Sequence, residues 1–187
     1  CSPVIEKAKS IILGPGLGQD TWSLALFDFV IQLPQPKVID ADALRLLAEK
    51  PSKNSQWILT PHPGEAAALL ACSIAEIEAD RFSAVKKIAQ QYGGICVLKG
   101  AGTLISDGNI TWINSTGNPG MASGGMGDVL SGIIGALILQ TGDILSAARL
   151  GVYIHGLAAD IIAQKHGQIG LLASDLAPEI QRLINQW

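Results

Sequence analysis

The stretch Asn118-Pro119-Gly120-Met121-Ala122-Ser123-Gly124-Gly125-Met126-Gly127-Asp128 sets a run of glycines directly before an apolar segment. Glycines at a helix start leave several main-chain N–H groups bare and convergent, and the helix dipole adds positive potential at the same point. Gly125, Met126 and Gly127 then form an anion hole suited to phosphate. Asp128, where the helix begins, can take a proton from a hydroxyl while the neighbouring amides stabilise a phosphoryl group in transfer. The same residues also read as a plain loop with Asp128 as a helix N-cap, because capping Asp is common. No Lys-Ser or Lys-Thr follows the glycines, so this is not a Walker loop. Gly14-Pro15-Gly16-Leu17-Gly18 lacks the third-glycine spacing of a dinucleotide fingerprint.

Three further segments could carry chemistry. In Thr60-Pro61-His62-Pro63-Gly64-Glu65 the two prolines stiffen a turn that presents His62 at a strand end. His62 can hydrogen-bond a ligand and Glu65 can help place Mg²⁺ through water, although a proline-rich turn with a first-turn Glu explains the segment equally well. Lys99-Gly100-Ala101-Gly102-Thr103 ends another strand, where small residues admit a ligand and Lys99 or Thr103 can reach phosphates. Taken alone it reads more simply as a strand-to-hairpin turn with one solvated Lys. Gly14 to Gly18 permits close backbone approach. Asp40 and Asp42 are either substrate-facing or helix caps, and His155 and His166 read as structural.

Apolar periodicity supplies the elements that must position these residues. Strands are expected at 10–13, 37–40, 56–60 and 94–100, alternating with helices over 21–32, around 44–47, over 65–71, and from a Ser73/Glu76 capping box to about Tyr92. Asp107-Gly108-Asn109 between Thr103–Ser106 and Ile110–Asn114 signals a hairpin. Three helices, 128–139, 144–164 and 175–186, finish the chain. Strands separated by helices imply α/β architecture: a three-layer α/β/α sandwich with a mainly parallel central sheet. In such folds ligands gather at the carboxyl ends of strands, where all these motifs fall.

With 48% hydrophobic and 16% charged residues in 187, the chain can bury a large single-domain core and is not disordered. A net charge of −3 gives no electrostatic footprint for nucleic acid or an anionic membrane. Val129 to Leu139, the longest apolar run near the C-terminal half, is about half the span a bilayer needs. Cys1, Cys72 and Cys96 are odd in number and without close pair spacing, which fits free thiols in a reducing cytoplasm. A start at Cys1 followed almost at once by a strand is expected of a fragment that lacks N-terminal strands.

Leu13 to Gly18, Val38-Ile39-Asp40-Ala41-Asp42-Ala43-Leu44, Thr60 to Glu65, Lys99 to Thr103 and Asn118 to Leu130 occur in that order across most of the chain. Together they resemble the ADP- or ATP-dependent NAD(P)H-hydrate dehydratase family of the ribokinase-like superfamily. The resemblance implies that Gly16, His62 and Asp128 contact the hydrated nicotinamide, with Asp128 catalytic. It implies that Lys99, Gly100, Ala101, Gly102, Thr103 and Gly127 hold the adenine nucleotide. It further implies ADP or ATP as co-substrate, Mg²⁺, NADH-hydrate and NADPH-hydrate as substrates, a homo-oligomer such as a tetramer, and a fused or separate epimerase domain. Met126 stands where many members have Thr, and an anion hole needs only its amide. Two other readings compete: a hydroxyethylthiazole- or hydroxymethylpyrimidine-type kinase, which would share Asp128 and the anion hole, and a non-catalytic nucleotide-binding module. The run Thr60 to Glu65 favours the dehydratase over a thiazole kinase, whose pattern carries Asn at the position of His62.

Overall fold

A computed structural model describes residues 5 and 7–186; Cys1 lies outside the described residues. The apolar runs become strands β1 (Ile11–Leu13), β2 (Lys37–Ile39), β3 (Trp57–Leu59) and β4 (Ile95–Leu98), which pair in parallel in that order. The hairpin strands β5 (Leu104–Ser106) and β6 (Thr111–Ile113) extend the sheet antiparallel. At the hairpin tip the Asp107 carboxylate accepts from both Asn109 N and Ile110 N at 2.8 Å, which fixes the expected turn.

Strands β2, β3 and β4 are buried along their full length, as parallel strands covered on both faces must be. Their side chains alternate between two cores. Ile39, Leu59, Cys96 and Leu98 face helices α1 (Thr21–Ile31), α2 (Ala41–Glu49), α3 (Pro63–Leu69), α4 (Ile74–Ala79) and α5 (Arg81–Tyr92). Val38, Ile58, Ile95 and Val97 face α6 (Met126–Thr141) and α7 (Ile144–His166). Because β1 to β4 join the sheet in order without reversal, right-handed crossovers put every connecting helix on one face. The opposite face is left to α6 and α7, and α8 (Leu176–Ile184) packs on that pair from outside.

One expected helix is divided in the structure. The helix expected from Ser73 to Tyr92 is broken at Asp80, whose backbone leaves the helical region (φ −148°, ψ 77°) and whose carboxylate caps Ser83 N at 2.9 Å. The Ser73/Glu76 capping box forms as expected. Among the described residues one helix, α7, is long and apolar enough to cross a membrane, and half of its most apolar stretch is buried in the protein.

Candidate active site

Strand register sets the site. Leu13, Ile39, Leu59 and Cys96 lie in one row across the sheet, so the chain leaves β1, β2 and β3 at adjacent points, Gly14, Asp40 and Thr60. β4 runs two residues further, and Lys99 N donates to Pro61 O at 2.8 Å. The crowding is greatest at Gly14. It adopts φ +131°, and a Cβ there would stand 1.7 Å from Asp40 O, so only glycine fits.

Sequence alone leaves Asp40 either substrate-facing or a helix cap. In the structure it is the N-cap of α2 and is 1% exposed. Its Oδ1 accepts from Lys99 Nζ at 2.8 Å and Ala41 N at 2.9 Å, and its Oδ2 from Ser131 Oγ at 2.7 Å. A buried carboxylate needs such a set of donors to offset its lost hydration. Lys99 Nζ also lies 3.7 Å from Glu65 Oε2. Lys99 is therefore not the freely solvated turn residue of the simpler reading. Asp42 accepts from Gly18 N at 2.8 Å and so ties the Gly14–Gly18 loop to α2, leaving Gly16 exposed with open space beside it. Ala41, between the two acids, takes φ +47°, a conformation that costs a non-glycine residue about 1–2 kcal/mol.

His62 is the N-cap of α3. Its Nδ1 accepts from Gly64 N at 3.0 Å and Glu65 N at 3.4 Å, while Glu65 Oε2 accepts from His62 N at 2.7 Å. This is a capping box with His in the place usually taken by Ser or Thr. Two amides directed at Nδ1 require the proton on Nε2, which lies 3.4 Å from Glu65 Oε1. Roughly half of the ring remains exposed. Glu65, the residue assigned to Mg²⁺ through water, is buried with its oxygens turned to His62 and Lys99. Among the described residues no three His, Cys, Asp or Glu side chains gather as a cation cage.

The fourth component is the start of α6. Its N-cap is Gly125, in the left-handed region at φ +82°, and no side chain caps the helix. Asp128 is thus not the N-cap that one sequence reading allowed; it is the third residue of the helix. Helices α1 to α5 and α7 all carry side-chain caps. At α6 the first amide taken by an intrahelical carbonyl is Val129 N, on Gly125 O at 3.0 Å, which leaves those of Met126, Gly127 and Asp128 bare. A Cβ on Gly127 would lie 3.5 Å from Lys99 Nζ and 3.8 Å from Asp40 Oδ2, so the helix start is seated against the ion pair. Asp128 is exposed, and among the described residues its carboxylate takes part in no hydrogen bond or ion pair.

Helix α7 holds the preceding loop. Asp160 accepts from Gly117 N at 2.8 Å and Asn118 Nδ2 at 2.9 Å, and Thr116 Oγ1 donates to Tyr153 O at 3.0 Å. His155 lies buried behind Met126. Burial pushes its pKa down to about 4, against a hydrogen bond to the Met126 main chain that acts the other way. At the end of β4, Gly100, Ala101 and Gly102 are exposed, and Thr103 Oγ1 donates back to Gly100 O at 3.1 Å. The structure thus brings Asp40, Glu65, Lys99 and Gly127 into one contact network with His62 at its edge. Ser131, Arg81 and Asp160 were missed from sequence because each acts on a partner at least 17 residues away, with no local motif to mark it.

Comparison with known proteins agrees with this architecture. The chain is 50% identical over 184 residues to the bifunctional NAD(P)H-hydrate repair enzyme of Coxiella burnetii, covering 98% of this chain and 38% of that protein. It is 40% identical to the ADP-dependent (S)-NAD(P)H-hydrate dehydratase of Neisseria meningitidis, covering 94% of this chain and 62% of that one. The chain therefore spans under two thirds of the length of either relative. Among solved structures, the ADP/ATP-dependent NAD(P)H-hydrate dehydratase of Bacillus subtilis, co-crystallised with ATP/Mg²⁺ and soaked with CoA, superimposes with a TM-score of 0.84 at 32% identity. That match covers 95% of this chain and 66% of the other. The fold is the ribokinase-like one that the motifs imply. The family model for NAD(P)H-hydrate dehydratase matches residues 2–182, and to that family this chain belongs.

Proposed function

We propose that the protein dehydrates hydrated NADH and NADPH at the expense of ADP or ATP. The observation that carries the proposal is the uncapped start of α6, seated on the Asp40–Lys99 pair with an unengaged Asp128 carboxylate at its third position. Hydroxide is a poor leaving group, so the ring hydroxyl must first become a phosphate ester. Its oxygen bonds the terminal phosphorus of the nucleotide as the bond to the departing nucleotide breaks, and Asp128 takes the hydroxyl proton. The ring nitrogen's lone pair then expels phosphate, and loss of a ring proton restores the double bond. The bare amides of Met126 and Gly127, with Gly125 at the turn, bind the migrating phosphoryl oxygens. Gly16 and the exposed edge of His62 contact the substrate. Lys99 and the Gly100–Thr103 turn receive the nucleotide.

Mg²⁺ would neutralise charge on the phosphates. With Glu65 committed to His62 and Lys99, the described residues suit an ion held mainly by phosphate oxygens and water, with at most an outer contact to this carboxylate. Residues 1–187 read as one domain, because three apolar clusters pack on a single sheet and its covering helices. The free thiols of Cys72 and Cys96 accord with a cytoplasmic setting. An epimerase domain and a homo-oligomer belong to the same reading.

The test is spectroscopic. NADH-hydrate, with ADP or ATP and Mg²⁺, should regain the reduced-nicotinamide absorbance. Accumulation of a stable phosphorylated product without that recovery would instead assign a small-molecule kinase. Nucleotide binding without turnover of any hydroxylated substrate would leave a binding module.

A further inference from the structure

Arg81 occupies a position that local physics disfavours. It is the first residue of α5, where the helix dipole repels a cation. Among the described residues no carboxylate pairs with it. Its guanidinium instead crosses to the turn after β4, where Nη1 donates to Ala101 O at 2.7 Å and Nη2 to Lys99 O at 3.3 Å and Leu98 O at 3.4 Å. The Nε atom is buried with no protein acceptor. Gly100 makes the approach possible. It has φ +144°, and a Cβ there would stand 2.7 Å from Arg81 Nη2, so the guanidinium fills the space a side chain would take.

The consequence follows from peptide geometry. In a trans peptide the C=O and the following N–H point in opposite directions. With Lys99 O and Ala101 O drawn inward to Arg81, the N–H groups of Gly100 and Gly102 face away from it, toward solvent at the rim of the site. Neither amide has a protein acceptor among the described residues. Two outward amides beside Lys99, on a turn held by an unneutralised guanidinium, form an anion-receiving concavity.

We propose that Arg81 is a positioning residue for nucleotide binding: its guanidinium holds three carbonyls inward so that the Gly100 and Gly102 amides meet the nucleotide's phosphates. This rests on the proposed function, in which the 99–103 turn receives ADP or ATP. A lysine cannot replace the fork, because a point charge on one stem does not span three carbonyls.

The experiment is steady-state kinetics on Arg81→Met and Arg81→Lys with ADP and ATP as varied substrates, together with amide hydrogen exchange over 99–103. In Arg81→Met the KM for nucleotide should rise about tenfold or more, as expected when several charge-assisted bonds are lost. The KM for NADH-hydrate and the kcat at saturating nucleotide should stay within about threefold. Exchange at Lys99, whose amide donates to Pro61 O, should quicken while β2 and β3 amides keep wild-type protection. Arg81→Lys should recover less than half of the loss. If Arg81→Met does not fold, the same split measured on Arg81→Lys decides the matter. Wild-type nucleotide KM in the folded variants, or equal losses in KM and kcat for both substrates, would overturn the inference while leaving the function intact. A wild-type protein that does not turn over NADH-hydrate with either nucleotide would remove the function and this inference with it.

Discussion

Lys99 Nζ lies 2.8 Å from Asp40 Oδ1, and this one contact joins the carboxyl end of β4 to that of β2 across 59 residues of chain. Asp40 is buried and Lys99 is about four-fifths covered; Lys99 is the cation paired with Asp40, while Lys99 has Glu65 as a second acidic neighbour. Removing one member of a buried pair leaves an uncompensated charge. Lys99→Met should lower the unfolding free energy by about 3 kcal/mol, since it strands Asp40 and deprives Glu65 of its neighbouring cation. Asp40→Asn keeps a capping side chain and should cost less, about 2 kcal/mol, because Lys99 retains Glu65. Urea titrations showing lowered midpoints at unchanged slope would bear this out; wild-type midpoints would show that the pair contributes nothing.

A second prediction lies away from the site. Helix α3 ends in a Schellman arrangement, with Cys72 N donating to Ala67 O at 3.0 Å and Ala71 N to Ala68 O at 3.2 Å. The residue at its left-handed position is Ala71, at φ +50°, where glycine is usual. Ala71→Gly should therefore stabilise the protein by about 0.5–1 kcal/mol, the relief of left-handed strain exceeding the added chain entropy of glycine. Thermal unfolding reads the change directly, and a fall in midpoint would contradict the assigned backbone.

His155 gives stability a pH dependence whose sign is fixed. Burial depresses its pKa to about 4 in the folded protein, while in the unfolded chain it titrates near the ordinary value of about 6.5. Between these values the unfolded state binds more protons, so stability falls as pH falls through that window and rises as pH rises through it. The full effect is about 3 kcal/mol at pH below 4. His155→Leu should flatten that part of the stability profile relative to wild type. Identical pH slopes in the two proteins between pH 6.5 and 4 would rule the effect out.

Particular residues show how far sequence carried. The strands were legible because Val38-Ile39, shortly after Pro36, and Ile95 to Leu98, directly after Gly94, are apolar runs, and the hairpin because Asp107-Gly108 favours a tight turn. Thr60 to Glu65 and Gly125 to Asp128 were legible because their backbone demands are local. The break at Asp80 was not: apolar positions Ile77, Ala84 and Ile88 keep helical spacing across it, although Asp80 caps a new helix whose first residue, Arg81, reaches the β4 turn. The capping role of Asp40 was one of its two sequence readings, but its pairing with Lys99 and Ser131, and the role of Asp160, were equally hidden. Each is set by strand register or helix packing that brings together residues 42 to 91 apart in the chain. The assignment of Asp128 as N-cap or base was open in sequence, and the left-handed Gly125 decides only that it is not the cap.

The most direct test of the account concerns Asp128. As general base it contributes about 10²–10⁴-fold to the rate, or roughly 3–5 kcal/mol of barrier. Asp128→Asn keeps the bare amides and the Asp40–Lys99 platform, so nucleotide affinity should hold while kcat for NADH-hydrate falls by that factor. Turnover within a few-fold of wild type in the Asn variant would contradict the assignment of the exposed carboxylate on α6 as the proton acceptor.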